Sequence, residues 1–202
     1  MNYEIVINKN NSIRDEELPQ RLTVIGINNH PTISFENETN EILLEEKAAL
    51  FFNMMMNDFN KKHSNKIIPD SGYRTKERQE RLLKYYYDRD GEKAFTYAAP
   101  PGFSEHHTGL AIDIAMIVNG EFTDDITGDE PEILDLMANC YKYGFILRYP
   151  KGKEEITGYK YEPWHYRFVG LDLAKEIHES GLTLEEIKQL KLWYNKNGDT
   201  IC

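Results

Sequence analysis

The stretch Ser104-Glu105-His106-His107-Thr108-Gly109-Leu110-Ala111-Ile112-Asp113 constrains this chain more tightly than any other. From Gly109 onward, small or polar residues alternate with large apolar ones, the period-two pattern of a strand. Gly109, Ala111 and Asp113 then share one face, and Leu110, Ile112 and Ile114 share the other. The apolar face belongs in a core. The small face leaves room for a ligand, with Asp113 projecting into it. His106 lies seven residues before Asp113, and an odd separation in an unbroken strand points two side chains in opposite directions. Both reach one ion only if the backbone turns or bulges between them, and Thr108-Gly109 is the natural place.

A second constellation follows at Glu162-Pro163-Trp164-His165-Tyr166-Arg167. Two imidazoles and a carboxylate, from His106, Asp113 and His165, fill three corners of a Zn²⁺ tetrahedron and leave the fourth for water. Bound Zn²⁺ lowers the pKa of that water towards about 7, and a spare carboxylate such as Glu162 takes its proton. The chemistry suggested is amide hydrolysis. Glu162 and His165 are three apart, so a regular strand would separate them. A first helical turn beginning at Pro163, or a kinked strand, brings them to one side and turns Trp164 to the core.

The bland alternative stays open at this stage. An isolated histidine is usually exposed or locally satisfied, and His30, His63, His107 and His178 are read that way. His178-Glu179 resembles the start of a His-Glu-x-x-His zinc motif, but Leu182 stands where the second histidine would be. By spacing alone, His106, Asp113 and His165 form either a metal site or three unrelated residues.

The formal charge of −10 over 202 residues offers no basic stripe for phosphates, which argues against a nucleic-acid partner. It also speaks against docking on an anionic membrane. No apolar run approaches the roughly 20 residues that span a bilayer. Cys140 sits in an apolar, helix-like stretch and Cys202 is terminal, so a disulfide is not expected, and free thiols suit a reducing compartment. The first residues lack a basic segment followed by an apolar one. A cytoplasmic location is expected; the alternative is an extracellular domain separated from its anchor.

Residues 1–35 read as strand-poor, with one short apolar run over 22–26. Asn40 is expected to cap a helix over 41–62, with Leu44, Ala48, Phe51 and Met55 on its apolar face. Met54, Met55 and Met56 are assigned to core packing rather than to a soft metal. A short strand at 67–69 leads to a helix over 76–87, capped by Thr75 and closed at Asp90-Gly91. Further helices are predicted over 131–144, starting at Pro131, over 171–179, and over 185–194 with a Thr183/Glu186 capping box. Residues 145–149 read as a strand, and residues 118–128 as a mobile loop bordering the site. Helices mixed with scattered strands, without regular alternation, indicate an α+β fold.

The motifs resemble a known family. Ser104-x-His106-x-x-Gly109-x-Ala111-x-Asp113 with Glu162-x-Trp164-His165-x-Arg167 is similar to the zinc D-alanyl-D-alanine carboxypeptidases and dipeptidases of the VanX/VanY type. Ser71-Gly72-Tyr73-Arg74-Thr75 with Gln79, and residues 143–158, match as well. The resemblance runs from about residue 67 to 170. It implies one zinc peptidase domain over 1–202 with a small central antiparallel sheet flanked by helices, the fold shared with the Hedgehog signalling domain. It implies that His106, Asp113 and His165 bind Zn²⁺ and that Glu162 is the general base. Arg74 would steady the oxyanion or the substrate carboxylate, and Ser104 and Gln79 would hold the terminal D-alanine. Arg167 is assigned to bracing the structure through a salt bridge. The family often has Gln where this chain has His107, which leaves the ligands intact but puts the neighbouring pocket in question. The implied activity is removal of C-terminal D-Ala from peptidoglycan precursor peptides or from D-Ala-D-Ala, of the VanXY type linked to glycopeptide resistance. An L,D-carboxypeptidase acting on tetrapeptide stems is the alternative. A non-catalytic metal-containing binding module is the remote one.

Overall fold

The computed structural model describes residues 1–27 and 40–197; His30 and Cys202 lie outside the described residues. In chain order the elements are β1 (Leu22–Ile27), β2 (Glu41–Glu45), α1 (Glu46–Lys62), β3 (Lys66–Ser71), α2 (Lys76–Asp90), β4 (Ala111–Val118) and β5 (Glu121–Thr123). There follow α3 (Pro131–Asn139), β6 (Phe145–Leu147), the short α4 (Glu154–Thr157), β7 (His165–Phe168), α5 (Leu171–Ser180) and α6 (Leu184–Asn197). The main sheet runs β3-β4-β7-β6, with β5 paired to the far end of β4, and every pairing is antiparallel. This is the α+β arrangement expected from the sequence.

β4 is the centre of the sheet and its alternation is used as read. Leu110, Ile112, Ile114 and Met116 enter the core with Phe52, Met55 and Phe59 of α1 and Ile133 and Leu136 of α3. Asp113 sits on the opposite face, directly across from His165 on β7 and from Ser71 on β3. Pro69 is accommodated because β3 lies at the end of this strand order, with a register irregularity between Pro69 and Ser71. An edge strand tolerates a missing N–H.

Two expectations are corrected. The helix does not start after Asn40: residues 41–45 form β2, which pairs with β1, and Ile42 and Leu44 point alternately into the core. Glu45, not Asn40, caps α1, its carboxylate accepting from the amides of Lys47 (3.0 Å) and Ala48 (3.1 Å). A run of Ile-Leu-Leu between glutamates suits either a strand or a helix, and the distant partner β1 decides it. In addition, residues 118–123 form a hairpin where a loop is expected, while residues 124–128 are in no helix or strand and Asp124 borders the site as expected. Asn119 (φ 54°) and Gly120 (φ 88°) make a tight turn from β4 into β5, the two-residue hairpin geometry that Asn-Gly favours.

The other elements stand close to their predicted positions. Thr75 caps α2, and Gly91 with φ 62° ends it. The helical stretch from Pro131 continues past Asn139 as a tighter 3₁₀ turn to Tyr143 before Gly144 closes it. Thr183 and Glu186 make the reciprocal capping box, with Glu186 N donating to Thr183 Oγ1 (3.2 Å) and Thr183 N to Glu186 Oε2 (2.7 Å). Met55 and Met56 are buried as assigned, whereas Met54 is exposed.

Gly109 ties these parts together. Its φ is +68°, its carbonyl accepts from Glu45 N (2.8 Å), and an added Cβ would stand 3.0 Å from that same nitrogen. Left-handed backbone costs an L-residue about 1–2 kcal/mol. Gly109→Ala is therefore expected to lower the melting temperature by roughly 2–8 °C in a chain of this size. An unshifted thermal melt would show that the turn is not under this constraint.

Candidate metal and catalytic site

The turn demanded by the spacing of His106 and Asp113 is present. Ser104 opens a 3₁₀ turn over Glu105–Thr108, its Oγ accepting from His106 N (3.4 Å), and left-handed Gly109 closes it before β4 begins. The ring of His106 is held from outside: Nδ1 lies 2.7 Å from the carbonyl oxygen of Gly72. That leaves Nε2 facing Asp113, 3.2 Å from Oδ2.

His165 reaches the same carboxylate from the neighbouring strand. Its Nδ1 is 2.9 Å from Asp113 Oδ1, as their opposed positions in the β4–β7 ladder dictate. Glu162 to His165 is neither a helical turn nor a kinked strand. It is a β-turn closed by His165 N donating to Glu162 O at 3.1 Å, with Pro163 in the second position, where its fixed φ is favoured. The turn achieves the predicted juxtaposition by a third route, placing Glu162 Oε2 4.0 Å from His165 Nδ1. Trp164 is half-buried, packing against the core on one side and lining the site on the other.

One donor atom from each of His106, Asp113 and His165 can be chosen so that all lie within 4.8 Å of one another. Donors around a tetrahedral Zn²⁺ stand roughly 3.4 Å apart, from bond lengths near 2.1 Å. With borderline nitrogen and hard oxygen donors and one formal negative charge, the cluster fits Zn²⁺. The donors open onto a cavity of about 260 Å³ whose walls include Arg74, Tyr86, Tyr97, Asp124, Glu162 and Trp164.

Burial works against charge on Asp113, but the two imidazoles outweigh it and hold the carboxyl well below the usual carboxylate range. Burial lowers His106 to about 4, favouring the neutral ring that a metal needs. Burial would lower His165 too, yet the carboxylates of Asp113 and Glu105 prevail and raise it to about 9. Glu162 is pushed up to about 8, chiefly by burial. Its carboxyl thus keeps an affinity for a proton near neutral pH.

Arg74 is buried beside the cluster. Its Nη1 donates to Gln79 Oε1 (2.8 Å), its Nη2 to Ser71 Oγ (2.7 Å), and Nη2 lies 3.7 Å from Asp113 Oδ2. Gln79 is not a helix-surface residue. It is 1% exposed, and its Nε2 donates to Ala99 O at 2.7 Å while its oxygen holds Arg74. With one bond at each end of its amide, Gln79 orients the guanidinium, and it also lines the cavity. Ser104 lines the cavity as expected.

The residues assigned structural parts take them. His107 is fully buried, with Nδ1 2.7 Å from Arg74 O and Nε2 accepting from Gly102 N at 3.0 Å. Arg167 pairs with Glu105 (2.7 Å). His63 bonds Asp135 (2.9 Å) and His178 stacks on Tyr141 (3.8 Å). Sequence reasoning missed Glu105, Arg148 and Glu185, which form a buried charge network behind His165. The available signal was Arg148 directly after the apolar Phe145-Ile146-Leu147, since arginine is almost never fully buried unless paired.

A family model described as VanY, D-alanyl-D-alanine carboxypeptidase, matches residues 41–171. The putative carboxypeptidase YodJ of Bacillus subtilis (strain 168) is 38% identical over 92% of this chain, which spans 66% of YodJ. The bifunctional D-Ala-D-Ala dipeptidase and carboxypeptidase VanXYC of Enterococcus gallinarum is 33% identical, covering 92% of this chain and 93% of its own length. Among solved structures, the LdcB LD-carboxypeptidase superposes with a TM-score of 0.76 at 37% identity, over 91% of this chain and 84% of that one. A VanY D,D-pentapeptidase variant in complex with Zn(II) superposes at 0.71 and 30% identity, over 92% and 98%.

The geometry separates the two adjacent histidines. Asp113→Ala should abolish zinc uptake measured by atomic absorption. His107→Ala should retain zinc but lose stability, by about 1–3 kcal/mol for the buried partners left unsatisfied. Zinc loss in the second variant, or retention in the first, would overturn the assignment of ligands.

Proposed function

The chain belongs to the VanY family of D-alanyl-D-alanine carboxypeptidases, and from that premise we propose that it removes C-terminal D-alanine from peptidoglycan peptides, with D-Ala-D-Ala ends as its main substrates. The observation that carries this reading is the placing of Glu162 and the clamped Arg74 on one cavity with the His106, Asp113 and His165 donors. His106, Asp113 and His165 would hold Zn²⁺, which would supply Lewis acidity to the scissile carbonyl and to the attacking water.

Glu162 takes the proton of that water and passes it to the departing amine of D-alanine. Its buried carboxyl, with a proton affinity near neutrality, suits a group that must both accept and return a proton. Arg74 answers the negative charge of the oxyanion or of the substrate's terminal carboxylate, and its bonds to Ser71 and Gln79 fix its direction beforehand. Ser104 contributes to the wall around the terminal residue. On the D,D reading, removal of D-Ala-D-Ala ends would give this chain a part in glycopeptide resistance.

A second reading is supported by a specific observation, the likeness to LdcB at 37% identity over 91% of this chain. On that reading the substrate is a tetrapeptide stem, with D-alanine following an L-configured residue. Both readings use the same ligands, base and arginine, and differ in the residue before the scissile bond.

Glu162→Gln should lower kcat by about 10²–10⁴-fold, the usual worth of a positioned general base, while zinc content stays at the parent level. Unchanged turnover would remove Glu162 from the mechanism. Release of D-alanine should be measured on D-Ala-D-Ala, on a pentapeptide ending in D-Ala-D-Ala, and on a tetrapeptide ending in L-Lys-D-Ala. The D,D reading expects the first two to be favoured. Preference for the tetrapeptide replaces it with the L,D reading, and no release from any of the three sinks both.

A further inference from the structure

Behind the metal cluster, two buried atoms face each other without a hydrogen bond to any partner: Glu105 Oε2 and His165 Nε2, 3.6 Å apart. Buried polar groups are normally satisfied, and an orphaned pair calls for a cause. Glu105 is not free to turn elsewhere. Its Oε1 accepts from both Arg148 Nε (2.8 Å) and Arg167 Nη1 (2.7 Å). Arg148 is held in turn by a two-pronged pair with Glu185 of α6 (2.6 and 2.8 Å), and Asn8 donates to Glu185 as well (3.1 Å). Arg167 donates to the carbonyl of Ile5 (2.8 Å). The second carboxylate oxygen is thereby aimed at the imidazole.

We propose that Glu105 is a positioning residue that sets the tautomer and ring orientation of His165. A neutral imidazole carries one N–H. With the proton on Nε2 and Glu105 as its acceptor, the Nδ1 lone pair is left towards Asp113 and the metal. His106 is arranged the opposite way, with Gly72 O beside Nδ1 and Nε2 turned inward. Each ring therefore has an acceptor on its outer nitrogen, one a backbone carbonyl and the other a carboxylate gripped by two arginines. Such outer partners commonly contribute about 10–100-fold to metal affinity. The network around Glu105 is completed by Asn8, Ile5 and Glu185, all outside the family-matched residues 41–171, so the first residues and α6 add to its stability while Glu105 alone meets the imidazole.

This inference rests on the zinc-binding reading, and the test separates the two. Zinc dissociation constants would be measured by chelator competition for the parent, Glu105→Gln and Glu185→Gln, each with the melting temperature of the metal-free chain. In Glu105→Gln the arginines draw the amide oxygen, leaving its NH₂ against His165 Nε2–H, donor against donor. Zinc affinity is expected to fall about 10–100-fold, whereas Glu185→Gln, which keeps Glu105, should lower the melting temperature and leave affinity at the parent value. Parent affinity in a folded Glu105→Gln, or an equal loss in Glu185→Gln, overturns the proposal. Should Glu105→Gln not fold, ¹⁵N-histidine NMR of the zinc-loaded parent decides. A hydrogen-bonded, exchange-protected Nε2 proton on His165 supports it, and zinc on Nε2 or a freely exchanging proton there overturns it. A parent chain that takes up no zinc overturns the metal reading itself.

Discussion

Asp113 stands opposite His165 across the β4–β7 ladder, and the rest of the site is arranged around that pairing. A cross-strand pair has its Cβ atoms about 5 Å apart, close enough for both side chains to touch one ion yet fixed by backbone hydrogen bonds rather than by side-chain choice. Ser71 occupies the corresponding place on the other flank of Asp113, and Ser71 holds Arg74. One residue of β4 therefore sets the metal donor, its imidazole partner and the guanidinium in register. His106 comes from outside the sheet and needs the Gly109 turn to arrive. A slip of one residue in β4 would send Asp113 to the core and Ile112 or Ile114 to the cavity.

The opposite side of His165 is built from charges that would not survive alone. Arg148, Arg167 and Glu105 have essentially no side-chain exposure. Removing an ion of this kind from water costs several kcal/mol, and stripping one partner from a buried pair costs about 3–5 kcal/mol. The network is tolerable because it closes: two arginines share one carboxylate, and Glu185 and main-chain carbonyls take the remaining donors. A hydrophobic replacement would pack as well. It would not offer an acceptor to an imidazole, which gives the chain a reason to bear the desolvation.

What could be read from the sequence was whatever neighbouring residues encode. The alternation from Gly109 to Ile114, the turn forced by an odd separation, the Thr75 and Thr183 caps and the start at Pro131 are all local, and all stand where the residues put them. β2 is not legible, because Glu41-Ile42-Leu43-Leu44-Glu45 carries no pattern long enough to choose and its partner β1 lies outside that local window. The Asn119-Gly120 dipeptide is a hairpin signal, but the polar residues around it read equally well as a loop. The bracing of Arg74 by Gln79 is not legible, because nothing near Gln79 in sequence announces the Ala99 carbonyl that engages its amide. The Glu105 network was the least accessible, since its members lie 43 and 37 residues apart and only folding gathers them.

The same division governs specificity. Metal ligands, base and arginine come from motifs that different peptidases can share, because any C-terminal D-alanine presents the same carbonyl and carboxylate. Discrimination has to come from the walls, and these derive from other segments: Tyr86 from α2, Tyr97 from the turn that follows it, Asp124 just beyond the β4–β5 hairpin, and Trp164 from the β-turn before β7. A pocket that only adds or omits methylenes separates substrates by about 1–3 kcal/mol, whereas one that must pair a polar group separates them much further. On the proposed function, distinguishing a D-alanyl methyl from an L-lysyl chain ahead of the scissile bond would depend on the aromatic and acidic groups of this wall more than on the zinc motif. A change in that wall could redirect the enzyme between stem peptides without disturbing a single metal ligand.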